Sequence, residues 1–198
     1  MYKIRPFFNT TKCGSLNNTM IAIFVKKSLM YKLIFLIGYM GSGKTTAGKK
    51  LAKKLNLDFI DIDQAISEMS GCSISAIFER NGEEAFRQLE HAVLKSLCQR
   101  KNLVVATGGG TPCFFDNMNL MNRYGMTVYL QMHPKSLATR LIESKDERPL
   151  LKSLSNEELP EYIANHLSSR ERFYLKSKIV MKGENLNQDK LIQFIKDY

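Results

Sequence analysis

The chain has little with which to build a disulfide framework or a metal cage. Its four cysteines (Cys13, Cys72, Cys98, Cys113) lie far apart with no C-x-x-C pair, and its three histidines (His91, His133, His166) are scattered. Neither a disulfide scaffold nor a zinc site is suggested, and a reducing cytosol suits such cysteine usage. Long apolar runs are missing too: none reaches the roughly 18 to 20 residues that span a bilayer, and "MIAIFV" is far too short. Acid is absent from the whole first part of the chain, where no Asp or Glu precedes Asp58. Residues 1–29 carry Lys3, Arg5, Lys12, Lys26 and Lys27, so half of the formal net charge of +10 sits in that segment. A charge so placed is a weak argument for nucleic acid or an anionic membrane as partner, and aromatics are not interleaved with the basic residues. The expectation is therefore no nucleic acid and no membrane. Residues 1–29 are basic, acid-free and Ser/Thr/Asn-containing. They read as a disordered extension or a start misassigned upstream of Met30, with an organelle transit segment as the other reading.

What remains, 30–198, has the length and composition of one α/β domain; the whole chain is 44% hydrophobic and 24% charged. Five apolar runs read as buried parallel strands: "KLIFLIG" (32–38), "DFIDI" (58–62), "LVVAT" (103–107), "TVYLQM" (127–132) and "KIVM" (178–181). Helical patterns lie between them. The clearest is "GEEAFRQLEHAVLKSLCQR", in which Phe86, Leu89, Val93 and Leu97 make one apolar stripe. Strand and helix alternate without a linker. That pattern predicts an α/β fold, a three-layer doubly wound five-stranded parallel sheet with its site at the strands' carboxyl ends.

"GYMGSGKTT" (38–46) satisfies G-x-x-x-x-G-K-[ST] between a strand and the helix "KTTAGKKLAKKL". Glycines at 38, 41 and 43 let backbone amides turn toward phosphate oxygens, and the helix N-terminus adds its positive end. Gly41, Ser42, Gly43, Lys44, Thr45 and Thr46 are the candidate nucleotide-binding residues. Lys44 reaches the outer phosphates, and Thr45 offers a hydroxyl to Mg2+ carried with ATP. No N-K-x-D segment follows, which argues against a regulatory GTPase.

In "DFIDIDQAI" (58–66) two carboxylates flank an apolar residue at the end of the second strand. Both should face the phosphate crevice while Ile62 turns inward. Asp61 could hold a metal-bound water, and Asp63 could accept the proton of an attacking hydroxyl. Asp63 is also a candidate cap for the helix "DQAISEM", a role that does not exclude catalysis. Arg87 has Glu83 and Glu90 at helical spacing, and its plain reading is a surface ion pair worth a few tenths of a kcal/mol. "VVATGGGTP" puts three glycines after a central strand, more than a tight turn needs, so a ligand could approach the backbone there. "LIESKDERPLL" has the charged, proline-interrupted character of a mobile lid, with Arg148 able to swing onto phosphates. "SSRERFYLKS" offers Arg170 and Arg172, whose plain reading is a solvated basic turn.

In combination "GYMGSGKTT", "FIDID", "SISAIFERNGEEAFRQLE", "VVATGGGTP", "ERPLL" and the R-x-x-x-Y spacing of Arg170 to Tyr174 resemble the shikimate kinase family. The resembling elements run in order from residue 31 to about 182. The resemblance implies a nucleoside-monophosphate-kinase-like fold with a P-loop and a mobile lid at about 144–155. It also implies an ATP-dependent phosphotransferase with an alcohol acceptor, moving the γ-phosphoryl of ATP to the 3-hydroxyl of shikimate in aromatic amino acid (chorismate) biosynthesis. Asp63 would hold and deprotonate that hydroxyl. Arg87 and Arg170 would grip the carboxylate, and Gly108, Gly109 and Gly110 would meet the acceptor, most closely through Gly109. Glu90 would orient Arg87. Thr45 and Asp61 would position Mg2+, Lys44 and Arg148 would neutralise the transferring phosphoryl, and Arg148 would close over the nucleotide. A cytoplasmic monomer follows, with plastid import only if 1–29 is a genuine transit segment. Arg172 competes with Arg170, and Arg140 is a possible adenine-side contact. Another P-loop kinase, such as a gluconate kinase, is the alternative.

Overall fold

The strand "LIFLI" explains the architecture around it. Leu33–Ile37 is buried at every position, as only a central parallel strand covered on both faces can be. The computed structural model describes residues 33–144, 155 and 157–197. The extension at 1–29, Arg148 and nearly all of the lid interval lie outside them.

Strands β1 (Leu33–Ile37), β2 (Asp58–Asp61), β3 (Leu103–Ala106), β4 (Met126–Gln131) and β5 (Ile179–Lys182) form one sheet of order β2-β3-β1-β4-β5. All four pairings are parallel, with Ile34 opposite both Val104 and Met126. The helices are α1 (Lys44–Leu55), α2 (Ile62–Ser70), α3 (Ile74–Leu97), α4 (Asn117–Tyr124), α5 (Pro134–Glu143), α6 (Leu159–Tyr174) and α7 (Gln188–Asp197).

The crossover from β1 to β2 runs one way along the sheet and the next three run the other way. Crossovers of a single hand then place α1 on one face and α2 to α6 on the opposite one. The core divides accordingly. Ile34, Leu36, Val104, Val128 and Leu130 pack with Ala47 and Leu51 of α1 and Leu191 and Ile195 of α7. Leu33, Phe35, Ile37, Leu103 and Val105 point the other way, against Phe86, Val93, Leu97, Met121, Leu137 and Ile163. The doubly wound three-layer sheet is therefore present.

Element ends differ from the sequence reading at two places that matter. β2 stops at Asp61, so Asp63 stands in the first turn of α2. The helical stretch expected from Gly82 starts at Ile74, with Ser73 accepting from Ala76 N as its cap. Gly82 is a kink inside it (φ 78°, ψ 171°), a conformation open to glycine at little cost.

α1 presses onto the sheet through Gly48, where an added Cβ would lie 2.4 Å from Phe59 Cε2 and 3.2 Å from Leu36 Cδ1. Gly48→Ala would gain about 1 kcal/mol of helix propensity and lose about 1 to 3 kcal/mol to overpacking. The expected outcome is a Tm lowered by a few degrees in a thermal melt; an unchanged or higher Tm would mean that Phe59 moves aside freely.

Candidate active site

The P-loop joins β1 to α1 through Gly38, Gly41 and Gly43, at φ 151°, 79° and 85°. Gly43 is the N-cap of α1 and supplies no side-chain cap, and the first turn contains no acid. The amides of that turn and the positive end of the helix therefore face the crevice. Lys44 is buried and its Nζ donates to the carbonyls of Gly38 (2.8 Å) and Tyr39 (2.9 Å), which holds it across the loop. Ser42 Oγ is buried with no protein partner, a polar group that a phosphate oxygen would satisfy. Arg140 Nη1 lies 3.5 Å from the point where a Cβ on Gly43 would stand, so its side chain lies beside the P-loop.

Thr45 Oγ1 donates to Asp61 Oδ2 at 2.6 Å, placing the two candidate metal-side residues in contact. Asp61, not Asp63, caps α2: its Oδ1 accepts from Asp63 N (3.1 Å) and Gln64 N (3.4 Å). Because β2 ends one residue earlier than expected, the extended residue before the helix is Asp61. Asp63 is thereby left with its carboxyl toward the pocket. It is pushed up to about 6, first by burial, then by the charges of Glu90 and Asp61, with Lys44 and Arg87 pulling the other way.

The reading of Arg87 as a surface ion pair is overturned. Its side chain is 8% exposed and that of Glu90 is 0% exposed. Arg87 Nη1 donates to Glu90 Oε2 at 2.9 Å, while Nε and Nη2 donate to Glu83 Oε1 at 3.2 and 3.0 Å. Phe114 lies against the guanidinium, 4.2 Å from ring centroid to Cζ, as a cation–π contact. Thr111 donates its hydroxyl to Glu90 Oε1.

The three glycines after β3 are explained by space. None of them takes a positive φ. A Cβ on Gly108 would stand 2.6 Å from Glu90 Oε1 and 2.9 Å from Asp63 Oδ1, and one on Gly110 would stand 2.6 Å from Arg87 Nη2. A Cβ on Gly109 would meet Met40 N of the P-loop at 3.3 Å, with Arg170 Nη1 at 3.7 Å. The turn thus packs bare backbone against both the Asp63, Glu90 and Arg87 side chains and the P-loop. Tyr174 OH donates to Gly109 O at 2.6 Å, which ties the turn to α6. Arg172 is exposed on the ring of Phe173 (4.8 Å), so Arg170 is the one beside the site.

Asp63, Arg87, Glu90, Gly108, Gly109, Gly110, Arg170 and the P-loop are therefore brought together. The residues the sequence reading missed are Thr111, Phe114 and Tyr39; each lies inside or next to a quoted motif, but nothing in the pattern announces its contact. Among the described residues no cluster of three or more His, Cys, Asp or Glu could hold a metal, and no helix is long and apolar enough to cross a membrane. A groove of about 680 Å³ between α5, α6 and the ends of β4 and β5 contains none of the candidate residues.

A phosphate-cradling loop beside a pocket that holds two arginines and a base-like carboxylate, at the carboxyl ends of parallel strands, defines a P-loop small-molecule kinase. The model of the shikimate kinase family matches residues 40–197. Shikimate kinases of Phocaeicola vulgatus and of Azobacteroides pseudotrichonymphae are 46% and 48% identical over 160 and 161 residues, 81% of this chain in each case and 91% and 95% of theirs. The crystal structure of the shikimate kinase from Bacteroides thetaiotaomicron superposes with a TM-score of 0.78 at 40% identity, covering 84% of this chain and 97% of that one. The shikimate kinase from Acinetobacter baumannii, solved in complex with shikimate, does so at 0.77 and 33% identity, covering 86% and 96%. The chain belongs to the shikimate kinase family. A gluconate kinase is not favoured.

The raised carboxyl of Asp63 generates a stability prediction. The folded state binds this proton more tightly than the unfolded chain, so the stability associated with it is present at low pH and lost as pH rises from about 4 through about 6. Asp63→Asn should therefore raise the Tm at pH 8 and leave it nearly unchanged at pH 4. A variant less stable than wild type at pH 8 would show that the charged carboxylate is compensated in the fold.

Proposed function

We propose that the chain transfers the γ-phosphoryl of ATP to the 3-hydroxyl of shikimate, giving shikimate 3-phosphate and ADP on the route to chorismate, with the following division of labour. Residues 41–46 cradle the phosphates, and Lys44 neutralises the charge that develops on the transferring group. Arg148, in a segment outside the described residues, closes over them. Asp63 takes the proton of the attacking hydroxyl. Arg87 and Arg170 hold the acceptor's carboxylate with planar forks, and the 108–110 backbone lines the same pocket.

The observation that carries this reading is the position of Asp63. It stands between the P-loop lysine and the buried Arg87–Glu90 pair, with its carboxyl pushed up to about 6. A base held near the working pH combines a large deprotonated fraction with real proton affinity. Thr45 and Asp61 suit Mg2+, which takes oxygen ligands and retains water while shared with nucleotide phosphates. When bound, the ion would neutralise phosphate charge and help align the γ-phosphoryl for in-line attack. Glu90 and Thr111 hold Arg87 in place and touch no reacting atom in this scheme. The protein acts as a cytoplasmic monomer in this reading.

A coupled ADP-release assay with magnesium ATP and shikimate, with gluconate and AMP as controls, tests the activity. Release that depends on shikimate is expected; turnover with a control alone would overturn every acceptor-side assignment. kcat/KM for shikimate should fall as pH drops through about 6, because Asp63 becomes protonated. Asp63→Asn should reduce turnover by about 100-fold or more while ATP binding, followed by calorimetry, persists. Arg87→Lys should raise the KM for shikimate by about tenfold or more, since a point charge cannot replace the fork or satisfy Glu83 and Glu90 together. An unchanged KM would remove Arg87 from the acceptor site.

A further inference from the structure

One polar contact joins the P-loop to α6 without involving any group assigned above. Tyr39 is buried, and its hydroxyl shares a 2.8 Å hydrogen bond with His166 Nδ1. The two rings meet edge to face at 5.5 Å, and Tyr162 packs on His166 at 5.4 Å. One helical turn beyond His166 stands Arg170, whose Cζ lies 6.0 Å from the centroid of the Tyr39 ring. One turn further, Tyr174 donates to Gly109 O. α6 is thus fastened to the nucleotide loop four residues before Arg170 and to the acceptor loop four residues after it.

Two such fastenings fix both the rotation and the axial position of a helix. A shift by a single residue would move a side chain by about 1.5 Å and turn it by about 100°, which a two-point grip on a carboxylate does not tolerate. Burial and the charge of Arg170 hold the His166 imidazole below its usual range, with Glu83 acting in the opposite sense. A neutral ring is the form whose Nδ1 can accept a hydrogen bond from the phenol O–H.

We propose that Tyr39 and His166 form a positioning pair that sets where Arg170 presents its guanidinium to the acceptor and ties that position to the nucleotide loop. The proposal rests on Arg170 being a carboxylate ligand, as argued above. The pair acts through Arg170 and does not itself touch the acceptor. Tyr39 suits the task because its carbonyl also receives Lys44 Nζ, so one residue links the phosphate-binding lysine to the helix that carries Arg170.

Tyr39→Phe keeps the ring beneath Arg170 and removes only the hydroxyl. Steady-state kinetics should show the KM for shikimate raised about threefold to tenfold, the effect of one neutral hydrogen bond, with the KM for ATP and kcat within about twofold. His166→Leu should do the same, the double variant should do no more than either single one, and His166→Gln, which can still bond the phenol, should recover part of the loss. In an Arg170→Ala background Tyr39→Phe should have no further effect on the shikimate KM. A shikimate KM unchanged by Tyr39→Phe, an equal rise in the ATP KM, or full additivity with Arg170→Ala would overturn the pair. If Arg170→Ala itself leaves the shikimate KM unchanged, the assignment of Arg170 fails as well. If Arg170→Ala raises it and Tyr39→Phe does not, only the positioning pair fails.

Discussion

The site depends on the buried ion pair between Arg87 and Glu90. A carboxylate with no exposure is costly unless its charge is met and its remaining lone pairs are bonded. Here Arg87 Nη1 meets one oxygen and the Thr111 hydroxyl the other. The arrangement orients the guanidinium, which is then clasped by Glu83 and by the face of Phe114. The same negative charge on Glu90 reaches Asp63 and helps to raise its proton affinity. One buried glutamate therefore both orients Arg87 and raises the proton affinity of Asp63, and its removal would disturb the two together.

Close approach is the second constraint. The 108–110 turn and the P-loop leave adjacent strands, β3 and β1, and pack backbone on backbone at Gly109, with charged side chains against the glycines on either side of it. Side chains at 108 or 110 would occupy the space of Asp63, Glu90 and Arg87. Glycine in this turn is a requirement of volume, since none of the three residues adopts a positive φ. In the P-loop the requirement is conformational, with Gly38, Gly41 and Gly43 all at positive φ. Two glycine-rich loops a few ångströms apart have glycine for different reasons.

The third element is α6, which touches both loops. Tyr174 bonds the 108–110 turn and His166 bonds the P-loop, so the helix bridges the two glycine-rich loops. A helix fastened to each of the two loops holds them in a fixed relation to one another.

Much of this was readable from residues alone. The strands announced themselves by short, mainly apolar runs and the phosphate loop by spacing and context, because both signals are local: a backbone turn and a buried strand each impose their own residue types. The nearness of Asp61 and Asp63 to Thr45 and Lys44 also followed from position at a strand's carboxyl end. What the pattern could not tell was which acid caps α2, since that turned on a strand end placed by one residue. Nor could helical spacing show whether Arg87 faced water or the interior. Phe114 on its guanidinium and Thr111 on its partner Glu90 come from a segment more than twenty residues away, and their burial is set by how α3 packs beneath the 108–110 turn. The Tyr39–His166 bond spans 127 residues of sequence. Local chemistry is written in neighbours along the chain, whereas burial, proton affinity and the choice of partner arise only when distant segments share one volume from which water has been removed.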